Sequence, residues 1–586
     1  MTTYFALTIG PIYETISSAR TTREMWASSY IFSYIIRQLV DQFRHAGMDI
    51  LLPSPNFINN QNFQGAGIYP DRIIAKSSLS QTTVQKIISD IISQLSTDIL
   101  KHFNKRSDVI EHFFIAQTSN NQQDGIQEYL NKYLRIYYLC KELNKDNDNI
   151  INTLYPFLDS MDLQPRILPK ESFPATIYKR ILTIAPLKAS IRTSPLRLFT
   201  DLVNWSFLID DGFGTPEERK KNNHDEKRHF STLSEIATVE LKQINKERYS
   251  VFETAVQNEI NEIWQVEIEK ERIADKEEKH GIDIMQILKN NFQKEFRTYH
   301  NYLAIVHGDG DNVGKIIKRM TDVKVGKAII SQEEALKAFS NMLTGYAVEA
   351  TNVITNYGAT PVYVGGDDLF FFAPVASINK ITNQWLTILD LVAELDGLFN
   401  SMIRNQTKYD WGLTEDEKPS LSFGISITYR KFPLYEARNM SYSLMKYTAK
   451  EKLGRNAVAT TLLKASGHEV SFGFSKKDPL VFNKIRELIH TRINTKENFI
   501  NSITYKLESL KHVIVPISSD ATRVRSFFKN NFNENYNANI SFYESLEEFI
   551  IVMAGYNSPP ILTSDNYDLL YGILRFIHFI RSNEKE

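Results

Sequence analysis

His307-Gly-Asp309-Gly-Asp311-Asn312-Val-Gly314-Lys315 ends one apolar run, and Val364-Gly365-Gly366-Asp367-Asp368-Leu369 interrupts another. The first follows Tyr302-Leu-Ala-Ile-Val306, which reads as a fully buried strand, and it opens a helix. The second is a tight turn between strands over 361–364 and 369–373. Working outward, the apolar spacing predicts a helix near 331–356, another near 379–403, a strand over 421–428 and a helix over about 434–452. That order, β-α-β-β-α-β, is the split βαβ or ferredoxin-like arrangement. In such a fold the first strand and the hairpin are sheet neighbours. The carboxylates of Asp309, Asp311, Asp367 and Asp368 therefore converge at one edge.

Carboxylates cannot crowd together as free anions without cost, because like charges raise one another's pKa or recruit a cation. An oxygen-only donor set suits Mg²⁺ or Mn²⁺, which keep waters and accept phosphate oxygens. Two such ions about 4 Å apart can activate an attacking hydroxyl and steady a leaving pyrophosphate. Gly310 and Gly314, with Asn312 and Lys315, would let a triphosphate approach the backbone at the start of the next helix. The stretch is no Walker A loop, since the four-residue spacer and the Gly-Lys-Ser/Thr ending are absent. As an EF-hand it fails at Val313, the third ligand position, and at Met320, the twelfth. A Gly-Asp pair alone is an ordinary turn; two at matching strand ends point to nucleotidyl transfer. Downstream, Ser422 lies on the 421–428 strand. Lys450, Arg455 and Asn456 close the following helix, where a point charge and a guanidinium fork could reach phosphates. Cations also favour a helix C-terminus for its own sake.

The 586 residues contain 68 Lys and Arg against 69 Asp and Glu, a formal net charge of −1. No global charge draws the chain to nucleic acid, so RNA contact requires a local basic surface or one shared with partner subunits. The 42% hydrophobic content excludes wholesale disorder, and the length predicts about three to five domains. Cys140 is the single cysteine, which excludes an intrachain disulfide and a four-cysteine zinc site. Beside Tyr133, Tyr137 and Tyr138 it reads as a small buried hydrophobe inside a helix. No apolar run approaches the ~20 residues of a membrane span, and the start MTTYFALTIG lacks a basic leader. A soluble cytoplasmic protein is expected.

Residues 80–200 carry mostly helical spacing, 215–228 form a charge run expected in a loop, and 259–280 read as a solvent-facing helix. From 467 the chain reads as helical to its end, with an Asn-rich loop over 530–540. Tyr4–Gly10 can be laid over Tyr302–Gly308, with Pro11 on Asp309 and Pro70-Asp71 on Asp367-Asp368. That correspondence predicts a duplicated domain whose first copy lacks the leading carboxylate. The fold class is α+β multidomain: two ferredoxin-like palm domains, a helical middle region and an all-α C-terminal domain. The expected boundaries are 1–80, 81–200, 201–298, 299–466 and 467–586.

The GGDD hairpin, the Asp-Gly-Asp strand end and the Ala-Lys…Gly-Arg-Asn helix resemble the palm domain of polymerases, nucleotide cyclases and GGDEF-type diguanylate cyclases. Thr8-Ile-Gly-Pro11-Ile, Ala19-Arg20-Thr-Thr-Arg23-Glu-Met-Trp26-Ala-Ser-Ser29-Tyr30, Gly67-Ile-Tyr-Pro70-Asp71-Arg72 and Ser231-Thr-Leu-Ser-Glu-Ile-Ala237 narrow the likeness. Together they resemble the large subunit of type III-B (Cmr) CRISPR RNA-guided effector complexes. The resemblance implies a subunit that works with other complex subunits, a guide CRISPR RNA and a target RNA, switched on by target pairing to polymerise ATP into cyclic oligoadenylate. It implies Asp309, Asp367 and Asp368 as catalytic metal ligands for two Mg or Mn ions, with Asp311 a weaker one. Gly365 and Gly366 form the turn, Lys450, Arg455 and Asn456 serve the donor nucleotide, and Asp71 lies on the acceptor side.

Two departures follow. Many relatives begin with an HD-type nuclease; here the only His-Asp dipeptide, His224-Asp225, lies in the charged run, so no HD-type DNase activity is expected. A cysteine zinc site, common in the middle domain of relatives, cannot form. The sequence leaves open whether the acceptor is another nucleotide or a metabolite or cofactor that receives AMP. A catalytically silent scaffold that binds guide RNA, and a guanine-specific cyclase, are further readings; three intact carboxylates argue against the first and the duplicated palm against the second.

Overall fold

The computed structural model describes residues 2–19, 22–57, 66–104, 127–144 apart from 128, 129 and 132, 148–163, 231–256, 284–494, 499–532, 536–555 and 560–582. All of 164–230, with the charge run and His224-Asp225, and the 259–280 segment lie outside them.

Strands β1 (Thr2–Gly10), β2 (Asp49–Leu52), β3 (Arg72–Lys76) and β4 (Arg135–Leu143) form an antiparallel sheet in the order β2-β3-β1-β4. Helix α1 (Thr22–His45) joins β1 to β2, and α2 (Gln81–Asn104) follows β3. The apolar alternation of β1 decides its faces: Phe5, Leu7 and Ile9 join the core under α1, while Tyr4 and Ala6 face a second cluster. The first domain therefore does not end at 80. The helix expected over this stretch is instead strand β4: Ile136, Tyr137, Tyr138 and Leu139 make a continuous apolar run with no period of two to mark it. Cys140 sits on this strand, paired with Phe5, and is exposed rather than buried.

The second sheet contains β5 (Tyr302–Asp311), β6 (Thr360–Gly365), β7 (Asp368–Pro374), β8 (Ser420–Tyr429), β9 (Ala457–Leu463) and β10 (Glu469–Ser475), in the order β10-β9-β8-β5-β7-β6. Helix α3 (Gln332–Tyr357) links β5 to β6. Ser331 and Glu334 cap its start reciprocally, and Gly358, with φ of 97°, ends it. Helix α4 (Ile388–Phe399) precedes β8. It starts later than 379, because Ala376–Ile378 and Trp385–Thr387 form a small hairpin there. Helix α5 (Leu434–Ser443) runs on into a wider coil over Leu444–Lys452 before β9. Strand β10 pairs along the whole of β9, so the sheet extends past 466 to Ser475. Beyond it the described residues are helical, beginning with Pro479–His490 and ending with Ser564–Arg581.

Within both sheets the first four strands share one order and one connectivity, as duplication requires. The register differs from the sequence overlay by one residue. Ala304 and Val306 face α3 and α4, and their counterparts under α1 are Phe5 and Leu7, not Ala6 and Thr8. Leu7 pairs with Ile73 as Val306 pairs with Phe371. Gly10 thus takes the place of Asp309, and Tyr69-Pro70 the place of Asp367-Asp368. A slip of one residue exchanges the two faces of a strand, which matched letters cannot reveal.

The edge strand β6 and the start of α3 both touch the first domain. The Val364 N–H donates to Gly67 O at 3.0 Å, and Tyr4 Oη donates to Glu333 at 2.7 Å. Gly67 passes close to Ser29 and Ser33 of α1, where a Cβ would meet Ser29 Oγ at 3.2 Å.

Candidate active site at the second palm

Gly365 and Asp368 close the β6–β7 hairpin as a pair, and Gly366 takes a φ of 71° at the first central position, where a two-residue turn needs glycine. The turn carries Asp367 back against β5. A Cβ on Gly310 would lie 2.2 Å from Asp367 Oδ2, so glycine at 310 makes room for that carboxylate. It was expected to make room for a triphosphate. Gly314, by contrast, has nothing within 4 Å of a would-be Cβ and opens onto free space. The helix there, Val313–Lys318, has only six residues, so its dipole is a modest contributor.

Asp309 points toward the coil after α5. Lys450 Nζ lies 2.7 Å from Asp309 Oδ2 and donates to Gly310 O at 2.9 Å. Asp367 is pushed up to about 6, by loss of solvent and then by the Asp309 charge. Asp368 is driven well above the ordinary carboxylate range by the same loss of solvent, then by Asp367 and Asp309. Mutual repulsion among three carboxylates is the signature of a site built for a cation.

Asp311 behaves differently. It is buried, and its Oδ2 accepts from Ser422 Oγ at 2.7 Å, Ser420 Oγ at 3.0 Å and the Asn456 N–H at 2.9 Å. Its Oδ1 is buried without a hydrogen bond, 3.6 Å from Lys450 Nζ and 4.0 Å from Arg455 Nε. Ser422 and the Asn456 backbone thus serve Asp311. The Asn456 side chain accepts from Lys476 Nζ at 3.0 Å. Asn312, at φ 61°, donates to Asp416 O at 3.3 Å. Arg455 remains 59% exposed at its side chain and open to a ligand, and Lys315 is partly exposed on the short helix after Asn312.

Asp71 lies on the first palm near the GGDD turn. It is raised by burial, and its charge is felt at Tyr363, as are those of Asp368 and Asp367. Its neighbour Arg72 pairs with Asp159 at 2.5 Å and stacks on Tyr155 at 4.5 Å. Sequence reasoning missed Ser420, Tyr363 and Lys476. Ser420 and Ser422 share a strand face, which a period of two would have exposed; Lys476, in Ser-Lys-Lys-Asp, reads as surface.

As it stands, no group of three His, Cys, Asp or Glu side chains among the described residues is closed on a single point. The donor set nevertheless fits a hard divalent cation: Asp367 and Asp368 raised by crowding beside Asp309, a buried Asp311 oxygen without a hydrogen bond, and an ammonium already on Asp309. Among the described residues no helix is long and apolar enough to cross a membrane.

Residues 302–459 match the second palm domain of Cas10/Cmr2, and residues 4–110 match the N-terminal region of the CRISPR-associated protein Cmr2. Two stretches of the chain are thus similar to Cas10/Cmr2 proteins. The CRISPR system Cmr subunit Cmr2 of Pyrococcus furiosus is 22% identical over 340 residues, which cover 55% of this chain and 34% of that protein. The match thus spans about a third of that relative's length. A type III-B Cmr-beta chain solved in the apo state has a TM-score of 0.51 and 13% identity, covering 99% of this chain and 81% of that one. A Cmr-beta chain solved bound to cognate target RNA gives 0.56 and 14%, covering 99% and 83%. Both share this chain's fold.

Proposed function

We propose that this chain is the nucleotidyl-transfer subunit of a type III-B CRISPR effector complex, acting with other Cmr subunits, a guide RNA and a target RNA. On target binding it converts ATP into a nucleotide messenger, cyclic oligoadenylate. The observation that carries the reading is the convergence of Asp309, Asp367 and Asp368 beside Lys450 in the Cas10/Cmr2 second palm.

In this mechanism an acceptor hydroxyl attacks the α-phosphorus of ATP, an O–P bond forms, and the bond to the β-phosphate oxygen breaks to release pyrophosphate. Mg²⁺ or Mn²⁺ held by Asp309, Asp367 and Asp368 would acidify the hydroxyl and neutralise the leaving charge. Lys450 and Arg455 bind the phosphate chain, as point charge and fork. The open space at Gly314 admits the chain near Lys315. Asp311 touches no substrate; it fixes Ser422, the 454–456 turn and the two cations around the site. Asp71 from the first palm and Tyr363 from β6 of the second face the acceptor.

The test is mass spectrometry of products from the assembled complex given target RNA, Mn²⁺ and labelled ATP, with and without a metabolite extract. Oligoadenylate from ATP alone is the expected result. An adenylated adduct that needs the extract would keep the site and replace the acceptor. No product under either condition would favour a silent scaffold.

A further inference from the structure

Lys476 directly follows β10 and stands three residues before the Pro479–His490 helix. Its side chain is 2% exposed. Its Nζ donates to Asp396 of α4, to Leu421 O at 2.9 Å and to Asn456 Oδ1 at 3.0 Å. All three ammonium protons are thereby used, and the Lys476 N–H donates to Asn456 O at 2.6 Å. A buried ion pair is a poor source of stability in itself, so its place in the molecule is informative. Asn456 is held from the opposite side by Asp311, which accepts from its N–H.

Between these two anchors the backbone is strained. Gly454, Arg455 and Asn456 have φ of 77°, 67° and 48°. Left-handed geometry costs roughly 1–2 kcal/mol for a residue other than glycine, and it persists where surrounding structure over-determines it. Arg455 is presented by this turn, and the coil that carries Lys450 runs directly into it.

We infer that Lys476, paired with Asp396, is a positioning residue for the phosphate end of the site: it holds the left-handed 454–456 turn that aims Arg455 and seats the Lys450 coil against Asp309. The kinetic consequence rests on the nucleotidyl-transfer reading; the tether itself does not. The tether also reaches the C-terminal helices. Asp478, two residues after Lys476, caps the helix that follows, and Arg486 and His490 of that helix grip Asp390 on α4, the helix that supplies Asp396. A shift of the C-terminal helices against α4 therefore pulls on both ends of the Lys476 pair.

The test uses Lys476→Met, which keeps the stem and removes the charge, and Asp396→Asn, which keeps the partner's shape. Hydrogen exchange on the full chain, without nucleotide or metal, reads the turn directly. The expected result is exchange of the 453–457 peptide faster by roughly tenfold in both variants, with β5 and β8 peptides unchanged. Unchanged exchange at 453–457 in both overturns the tether. If Lys476→Met loosens the whole sheet, Asp396→Asn decides. In the assembled complex both variants should raise the KM for ATP, and Lys476→Met combined with Arg455→Ala should lose no more than the worse single variant, since both act through one turn. Additive losses overturn the positioning role. A wild-type complex that makes no nucleotide product would sink the functional reading alone, leaving exchange to judge the tether.

Discussion

Lys450 Nζ lies 2.7 Å from Asp309 Oδ2 and 3.6 Å from Asp311 Oδ1, so an ammonium occupies the carboxylate that a divalent cation would claim. The lysine is thus both a phosphate ligand in waiting and a competitor for the metal. Lys450→Met should lower nucleotide output by about 10²–10³-fold, the usual cost of removing one electrostatic stabiliser. The same variant should bind Mn²⁺ more tightly than wild type in the absence of ATP, measured by free-Mn²⁺ titration. Weaker Mn²⁺ binding would contradict the competition.

The crowded carboxylates have a consequence for stability. Asp367 sits near 6 in the folded protein, above its ordinary value, and Asp368 is raised too. The folded state then holds more protons than the unfolded one, so metal-free stability is greatest below about 4 to this extent and is lost as pH rises through about 6. Asp367→Asn should raise the melting temperature in EDTA at pH 7.5 and do so much less at pH 5. Added Mn²⁺ should stabilise wild type and leave the variant nearly unmoved.

Gly310 and Gly314 make a paired prediction. Alanine at 310 drives a methyl into the Asp367 carboxylate, so Gly310→Ala should lose activity nearly as fully as Asp367→Ala. Alanine at 314 meets open space and should leave the melting temperature unchanged. If phosphates pass there, its KM for ATP rises; an unchanged KM would place the phosphates elsewhere.

Much of this was readable in the residues. Both carboxylate motifs, their strands and the second palm's connectivity follow from apolar runs and turn glycines. What escaped did so for physical reasons. Strand β4 is apolar on both faces at Ile136–Leu139 and gave no period. The overlay of Tyr4 on Tyr302 matched letters across opposite faces. Asp311 looked like Asp309, and only packing shows that Ser420, Ser422 and the Asn456 amide consume one of its oxygens. Lys476 looks like a surface lysine because burial of a paired charge leaves no mark in local sequence.

The C-terminal helices are fastened to the palm by Asp390. It accepts from His490 Nε2 and Arg486 Nε, both at 2.8 Å, and from Thr387, and its side chain is 2% exposed. Burial pushes this carboxyl up, but its partners outweigh that and hold it near 2. The stabilisation is present above about 4 and fades as pH falls through about 2. Asp390→Ala should cost about 3–5 kcal/mol, as expected when one member of a buried pair is removed, read as a lower denaturant midpoint for the C-terminal helices.

The most direct measurement of the central claim is product mass spectrometry on wild-type and Asp367→Ala/Asp368→Ala complexes, each given target RNA, Mn²⁺ and ATP. The account predicts oligoadenylate from the wild type and none from the variant, with both complexes assembling on guide and target RNA alike. Equal nucleotide output from the two complexes would contradict it.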